Sequence, residues 1–361
     1  MSAGRFGRSL EGISQFLLCL LIFAAVSLAQ NPSPSAAPAP QTAAPAPSTA
    51  APSPSTDAQE PEANPRPPDT IPPSGEEPGF VFKSEVEEVI LHAIAVDDQN
   101  HLVTSLGRDN FEVYEDGKLQ KVTAFRKERV PVALGILIDN SGSMLPKRAK
   151  VNEAALQLVD ASQEGDRVFV VNFGEDAFLD QDYTQDVIKL KAALQRVETR
   201  GSTALYDAVI GAVNHLNQSS QVQKKILLVV TDGRDNASQA TFQEVLRKLQ
   251  TKNGPVLYTI ALEQNDRRDD ADRQSLRTLS EQTGGTAFFP SSLDEVQSIA
   301  STIARDIRSQ YVIGYHSSNP HTAGVYHKIQ VNAVVHPNGG SNRLRVETRT
   351  GYYSGEEGSS Q

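Results

Sequence analysis

The sequence predicts an α/β domain built on a doubly wound, mostly parallel sheet and inserted between two β-rich segments that pair into a small β-sandwich-like module. Three observations carry this. Residues 132–138 and 226–230 are nearly continuous apolar runs, the texture of strands covered on both faces. Between and beyond them, helix-like and strand-like stretches alternate regularly, which is the pattern of a βαβ series. Before residue 131 and after residue 310, short runs alternate apolar and polar side chains between turn residues, the mark of half-buried strands.

The chain of 361 residues opens with Arg5 and Arg8, an apolar run over 16–26, and the small residues Ser27-Leu28-Ala29. That layout reads as a secretory signal peptide over 1–29, cleaved near Ala29. The run falls short of the roughly 18 apolar residues of a comfortable membrane span. Retention as an anchor is the alternative reading; after cleavage, direct membrane insertion is not expected. The expected location is secreted, periplasmic or in the cell envelope. Cys19 is the only cysteine and follows Leu17-Leu18 rather than small residues, which argues against lipid attachment and leaves the mature chain without a disulfide framework. Residues 30–79 are rich in Pro, Ala and Ser and cannot bury a core; they read as a disordered spacer, extending about 3 Å per residue where polyproline-like.

Residues 80–130 form the first β segment, with strands expected at 80–82, 88–96, 111–114 and 120–126. Residues 311–354 form the second, with strands at 311–315, 326–335 and 343–348, followed by a disordered tail at 355–361. Neither set is large enough alone, so the two are expected to share one apolar face. Within the inserted domain, 131–310, helices are expected at 146–162, 186–197, 204–217, 241–251, 273–283 and 293–309. Pro146 sits at the first turn of the first of these, where helices accept it. Strands are expected at 132–138, 166–173, 177–183 (an edge strand), 226–230, 255–261 and 286–289.

Three loops on this frame carry oxygen ligands: Asp139-Asn140-Ser141-Gly142-Ser143, Gly201-Ser202-Thr203 and Thr231-Asp232-Gly233. The first and third follow the apolar strands, and in an open parallel sheet the loops at the carboxyl ends of strands share one edge. Hydroxyls of Ser141, Ser143 and Thr203, with Asp139 and Asp232 bound directly or through water, suit a hard dication such as Mg²⁺, with Mn²⁺ or Ca²⁺ as alternatives. Two carboxylates balance the ion's charge and neutral hydroxyls leave its pull on a further anion intact. Taken singly, such residues after a strand are ordinary turn and capping residues.

With all five positions present, the pattern Asp-x-Ser-x-Ser, distant Thr, distant Asp resembles the metal-ion-dependent adhesion site of the von Willebrand factor type A (VWA) domain, over about residues 131–310. The flanks at 111–117 and 311–315 resemble a bacterial, secreted VWA-related subfamily. The resemblance implies a binding module that holds a protein partner's Asp or Glu carboxylate through the metal. It also implies a terminal helix, here 293–309, that shifts when the metal engages ligand.

Asn140, Arg234 and Asp266 flank the loops and are candidates for ligand contact. For Arg234 and Asp235 helix capping is the preferred reading over ligand contact, Asp207 reads as a helix-face residue, and the charged loop 263–273 reads as solvated, with ligand selection the alternative. Four histidines in the tail, His316, His321, His327 and His336, show no tight ligand spacing and read as surface residues rather than a zinc site. The net charge of −10, without a basic stripe, excludes the phosphate-neutralising term that nucleic-acid binding needs. An enzyme is not expected. An aspartate-nucleophile hydrolase is the alternative, but Ser141 stands where its second acid belongs; a scaffold with a purely structural metal is a third reading.

Overall fold

The computed structural model describes residues 88–127, 130–196, 201–219, 222–262, 270–319, 322–335 and 342–355. The expected leader, spacer, strand at 80–82 and residues from 356 lie outside the described residues, as do Asp266, His321 and His336. All described residues belong to one compact unit, Phe80–Gln361.

In chain order, β1 (Glu88–Val96), β2 (Phe111–Glu115), β3 (Lys118–Gln120) and β4 (Val122–Arg126) come first. The α/β part follows: β5 (Val132–Asp139), α1 (Arg148–Asp160), β6 (Arg167–Phe173), β7 (Ala177–Thr184), α2 (Val187–Leu194), α3 (Leu205–Ser219), β8 (Lys224–Thr231), α4 (Phe242–Leu249), β9 (Val256–Ala261), α5 (Asp270–Thr283), β10 (Ala287–Phe288) and α6 (Val296–Arg308). The chain closes with β11 (Tyr311–His316), β12 (Tyr326–Val335), β13 (Asn342–Glu347) and β14 (Gly351–Tyr353).

The central sheet runs β10-β9-β8-β5-β6-β7. All its pairs are parallel except β6–β7, because a short turn after β6 leaves no room for a crossover. β5 and β8 are buried almost throughout, since helices cover both faces: α1, α2 and α6 pack one apolar cluster, and α3, α4 and α5 the other. Strand order reverses at the β5–β8 pair. The carboxyl ends of these two strands therefore flank the crevice that such a reversal opens.

Local signals explain where helices begin. Asp186 accepts from the amides of Ile188 and Lys189 to start α2, and Thr241 with Glu244 forms a reciprocal capping box for α4. The expected helix at 146–162 starts later, at Arg148, because a 3-10 turn at Gly142–Met144 intervenes and Met144 then binds the Lys147 amide. Pro146 lies in that turn rather than in the helix.

The flanking strands share one hydrogen-bonded path, β3-β2-β12-β13-β1-β11-β4, with β14 added beside β12. β1 serves both halves: Glu88–Ala93 pairs with β11 and Ile94–Val96 with β13. The sheet folds over on itself, since Phe111 on β2 lies 5.6 Å from Phe125 on β4 and 5.0 Å from Tyr311 on β11, centroid to centroid. The strand β14 was not legible in the sequence; Tyr352 within it is fully buried in this core. The two flanks thus share one apolar core along a single hydrogen-bonded path.

α6 passes into β11 through Ser309 and Gln310 alone, and Gln310 donates to the Tyr258 hydroxyl at 3.3 Å. Arg349 ties the β strands to the α4–β9 loop by donating to the carbonyls of Thr251 (3.1 Å), Lys252 and Gly254 (3.3 Å).

Candidate functional site

Asp139 is the last residue of β5 and Thr231 the last of β8. Parallel pairing in register places these ends side by side. The Thr231 hydroxyl donates to Asp139 Oδ2 at 2.6 Å, and the Ser141 amide donates to Asp139 Oδ1 at 2.8 Å. Both bonds orient a carboxylate that is fully buried. Burial pushes the Asp139 carboxyl above its usual range, against the pull of the Thr231 and Ser141 donors, and the nearby Asp232 charge adds to the rise.

Ser141 Oγ lies 3.2 Å from Ser143 Oγ, and Ser143 donates to Asp232 Oδ1 at 2.8 Å. Thr203, just ahead of α3, is held by its amide on Asn236 Oδ1 (2.8 Å) and by its carbonyl, which accepts from the amides of Asn236 and Ala237. Gly233 lies between the loops: a Cβ there would stand at ordinary contact distance, 3.5 Å from Thr203 Oγ1 and 3.9 Å from Asp139 Oδ2. Ser141, Ser143, Thr203 and Asp232 line one cleft of about 360 Å³, with Asp139 buried beneath it. The donor set is entirely oxygen and includes two buried carboxylates, which is the chemistry a hard dication requires.

The candidate ligand contacts divide. Arg234 lines the cleft, with Nε 4.0 Å from Asp272 Oδ2. Asn140 is buried, its amide bound to the Phe173 carbonyl at 2.6 Å, and it does not line the cleft. Asp235 accepts from the Tyr206 amide at 3.2 Å, so it caps the first turn of α3. Asp207, expected on a helix face, fastens the loop after β8 by accepting from the amides of Gln239 (2.8 Å) and Ala240 (3.0 Å).

Lys147 was missed. Its ammonium binds Asp232 Oδ2 directly. A cation at a helix N-terminus opposes the helix dipole, and that anomaly is the signal by which the sequence could have flagged it. Of the tail histidines, His316 is exposed as expected and His327 needs correction. His327 is buried, with Nδ1 2.8 Å from Asp116 Oδ2 and 3.8 Å from Glu115 Oε1. It lies inward on the alternating strand β12, where Glu115, also accepting from the Tyr315 hydroxyl (2.5 Å), fastens β2 to the facing strands.

Four of the five residues line one cleft at the β5–β8 reversal and Asp139 lies buried at the end of β5; the family model that matches here is the von Willebrand factor type A domain. Residues 134–302 match the VWA domain. The chain is 30% identical over 165 residues to calcium-activated chloride channel regulator 3A-1 of Mus musculus, covering 43% of this chain and 17% of that one. A longer stretch, 249 residues, is 22% identical to calcium-activated chloride channel regulator 1 of Sus scrofa, covering 61% of this chain. The chain thus spans about a sixth to a quarter of these relatives' lengths, 17% and 25%. Among solved structures, a von Willebrand factor type A protein from Catenulispora acidiphila aligns at TM-score 0.44 and 14% identity, over 74% of this chain and 75% of that one. Mussel proximal thread matrix protein 1 with a zinc-occupied MIDAS motif aligns at TM-score 0.44 and 18% identity, over 54% and 50%.

Proposed function

We propose that the VWA cleft binds a divalent ion, Mg²⁺ in the first instance, and that the chain is a non-catalytic binding module for a protein bearing an exposed Asp or Glu. Ser141, Ser143 and Thr203 would present hydroxyl oxygens, with Asp139 and Asp232 supplying charge directly or through water. When bound, the ion supplies a Lewis-acidic position for a partner's carboxylate. The observation that carries the reading is the convergence of hydroxyls and buried carboxylates from three distant loops at one strand reversal. Position 141 carries a serine hydroxyl and not a second carboxyl group, so the proton donor a phosphohydrolase of the aspartate-nucleophile type needs is absent from that position. Among those residues no helix is long and apolar enough to cross a membrane. We further propose that residues 1–29 are a cleaved leader and 30–79 a spacer, that 131–310 is an insertion into a β module made of 80–130 and 311–354, and that the protein works outside the cytoplasm.

The test is calorimetric titration of Mg²⁺ and Mn²⁺ into the purified protein and into Asp139→Ala. Saturable binding by the wild type that the variant lacks is the expected result. Equal heats from both proteins would remove the site.

A further inference from the structure

The two oxygens of Asp232 have different partners. Oδ1 accepts the Ser143 hydroxyl, and Oδ2 accepts the ammonium of Lys147. The Asp232 side chain is fully buried, whereas that of Lys147 keeps 18% of its exposure. The carboxylate is therefore fixed, while the ammonium has a short path to water. Lys147 also occupies the N-cap position of α1, where the helix dipole repels a cation. Its amide binds the Met144 carbonyl at 2.9 Å, so its stem is anchored to the same loop that carries Ser141 and Ser143.

We propose that Lys147 is a tethered monovalent cation that occupies the Asp232 side of the site in the metal-free protein and couples metal capture to the arrival of an acidic ligand. The inference rests on the metal reading above. The charges explain the coupling. Asp139, Asp232 and Lys147 together carry one net negative charge; a dication added beside them turns the site net positive, and a ligand carboxylate then restores neutrality. With Lys147 neutralised, the two carboxylates and the ion balance by themselves and a further acid leaves the site negative. Arg148 and Arg234 are nearby in every state and do not change this comparison. The lysine thus penalises the ion alone and favours the ion together with a carboxylate, by direct Coulomb interaction over a few ångströms.

Mn²⁺ titrations of wild type, Lys147→Met and Lys147→Arg test this, each in chloride and in acetate at matched ionic strength, acetate being the carboxylate probe. In chloride, Lys147→Met is expected to bind Mn²⁺ about tenfold or more tightly than wild type, while Lys147→Arg stays near wild type because the charge remains. Acetate should raise the Mn²⁺ affinity of wild type and Lys147→Arg by a larger factor than that of Lys147→Met. In EDTA, Lys147→Met should also melt below wild type, because Asp232 is left buried without its cation. Equal or weaker Mn²⁺ binding by Lys147→Met, alongside saturable binding by wild type, overturns the inference and leaves the metal reading standing. Absence of saturable binding in all three proteins overturns both.

Discussion

Replacing Asp166 with alanine should be among the most damaging single changes in the α/β domain. Asp166 is buried at the start of β6 and accepts four hydrogen bonds: the Val132 amide at 2.8 Å, the Gln163 amide at 2.7 Å, and two from the Arg308 guanidinium. It therefore joins the first residue of β5 to the last residue of α6, the two places where the chain enters and leaves the domain. Truncation leaves the buried Val132 amide unsatisfied, at about 1–3 kcal/mol. It also strips Arg308 of its partner, and because that side chain keeps 18% exposure some of the cost is recovered by water. The total should lie at the lower part of the range for breaking a buried pair, about 3–4 kcal/mol. For a domain of this size that corresponds to a fall in Tm of roughly 6–16 °C. Urea unfolding of wild type, Asp166→Ala, Arg308→Ala and the double variant measures both the loss and the coupling. A loss below about 1 kcal/mol for Asp166→Ala, or strictly additive single variants, would refute the view that this contact closes the domain.

Two other perturbations read different parts of the frame. Burial holds His92 down at about 3, with the Lys224 and Arg349 charges adding to the fall, and holds Lys224 down at about 7, with the Arg308 charge adding to the fall. The unfolded chain binds the His92 proton more tightly between pH 6.5 and about 3, so stability in EDTA should fall as pH drops through that window, by up to about 1.4 kcal/mol per unit. For Lys224 the same imbalance runs from about pH 7 to 10.5, so stability should rise with pH there; His92→Gln should flatten the acid limb and Lys224→Met the alkaline one, and unchanged pH profiles would count against both assignments. Gly135, at the centre of β5, has no room for a side chain, since a Cβ would sit 2.3 Å from Phe169 Cζ and 2.7 Å from Leu227 Cδ2. Gly135→Ala should cost about 1–3 kcal/mol by overpacking in denaturant melts, and a neutral result would mean that α3 and its neighbours shift more easily than a packed core should.

Hydrophobic period and loop chemistry made most of the α/β part legible. A strand buried on both faces must be apolar throughout, so β5 and β8 announced themselves, and the oxygen-bearing residues at their ends followed from the rule that parallel strands deliver their loops to one edge. The same local logic placed β1 and β12 at their observed bounds. It could not place Lys147 on Asp232, Asp207 under the loop after β8, or His327 against Asp116, because each of these is a polar side chain whose partner lies far away in sequence, 85, 32 and 211 residues respectively. Nor could it tell two stacked sheets from one sheet folded over, since alternation records which face of a strand is buried and says nothing of which strand lies opposite. The sequence by itself determined the kinds of elements and the chemistry at their ends. The tertiary structure alone decided which charges face each other, because that depends on where the chain returns and not on any local preference.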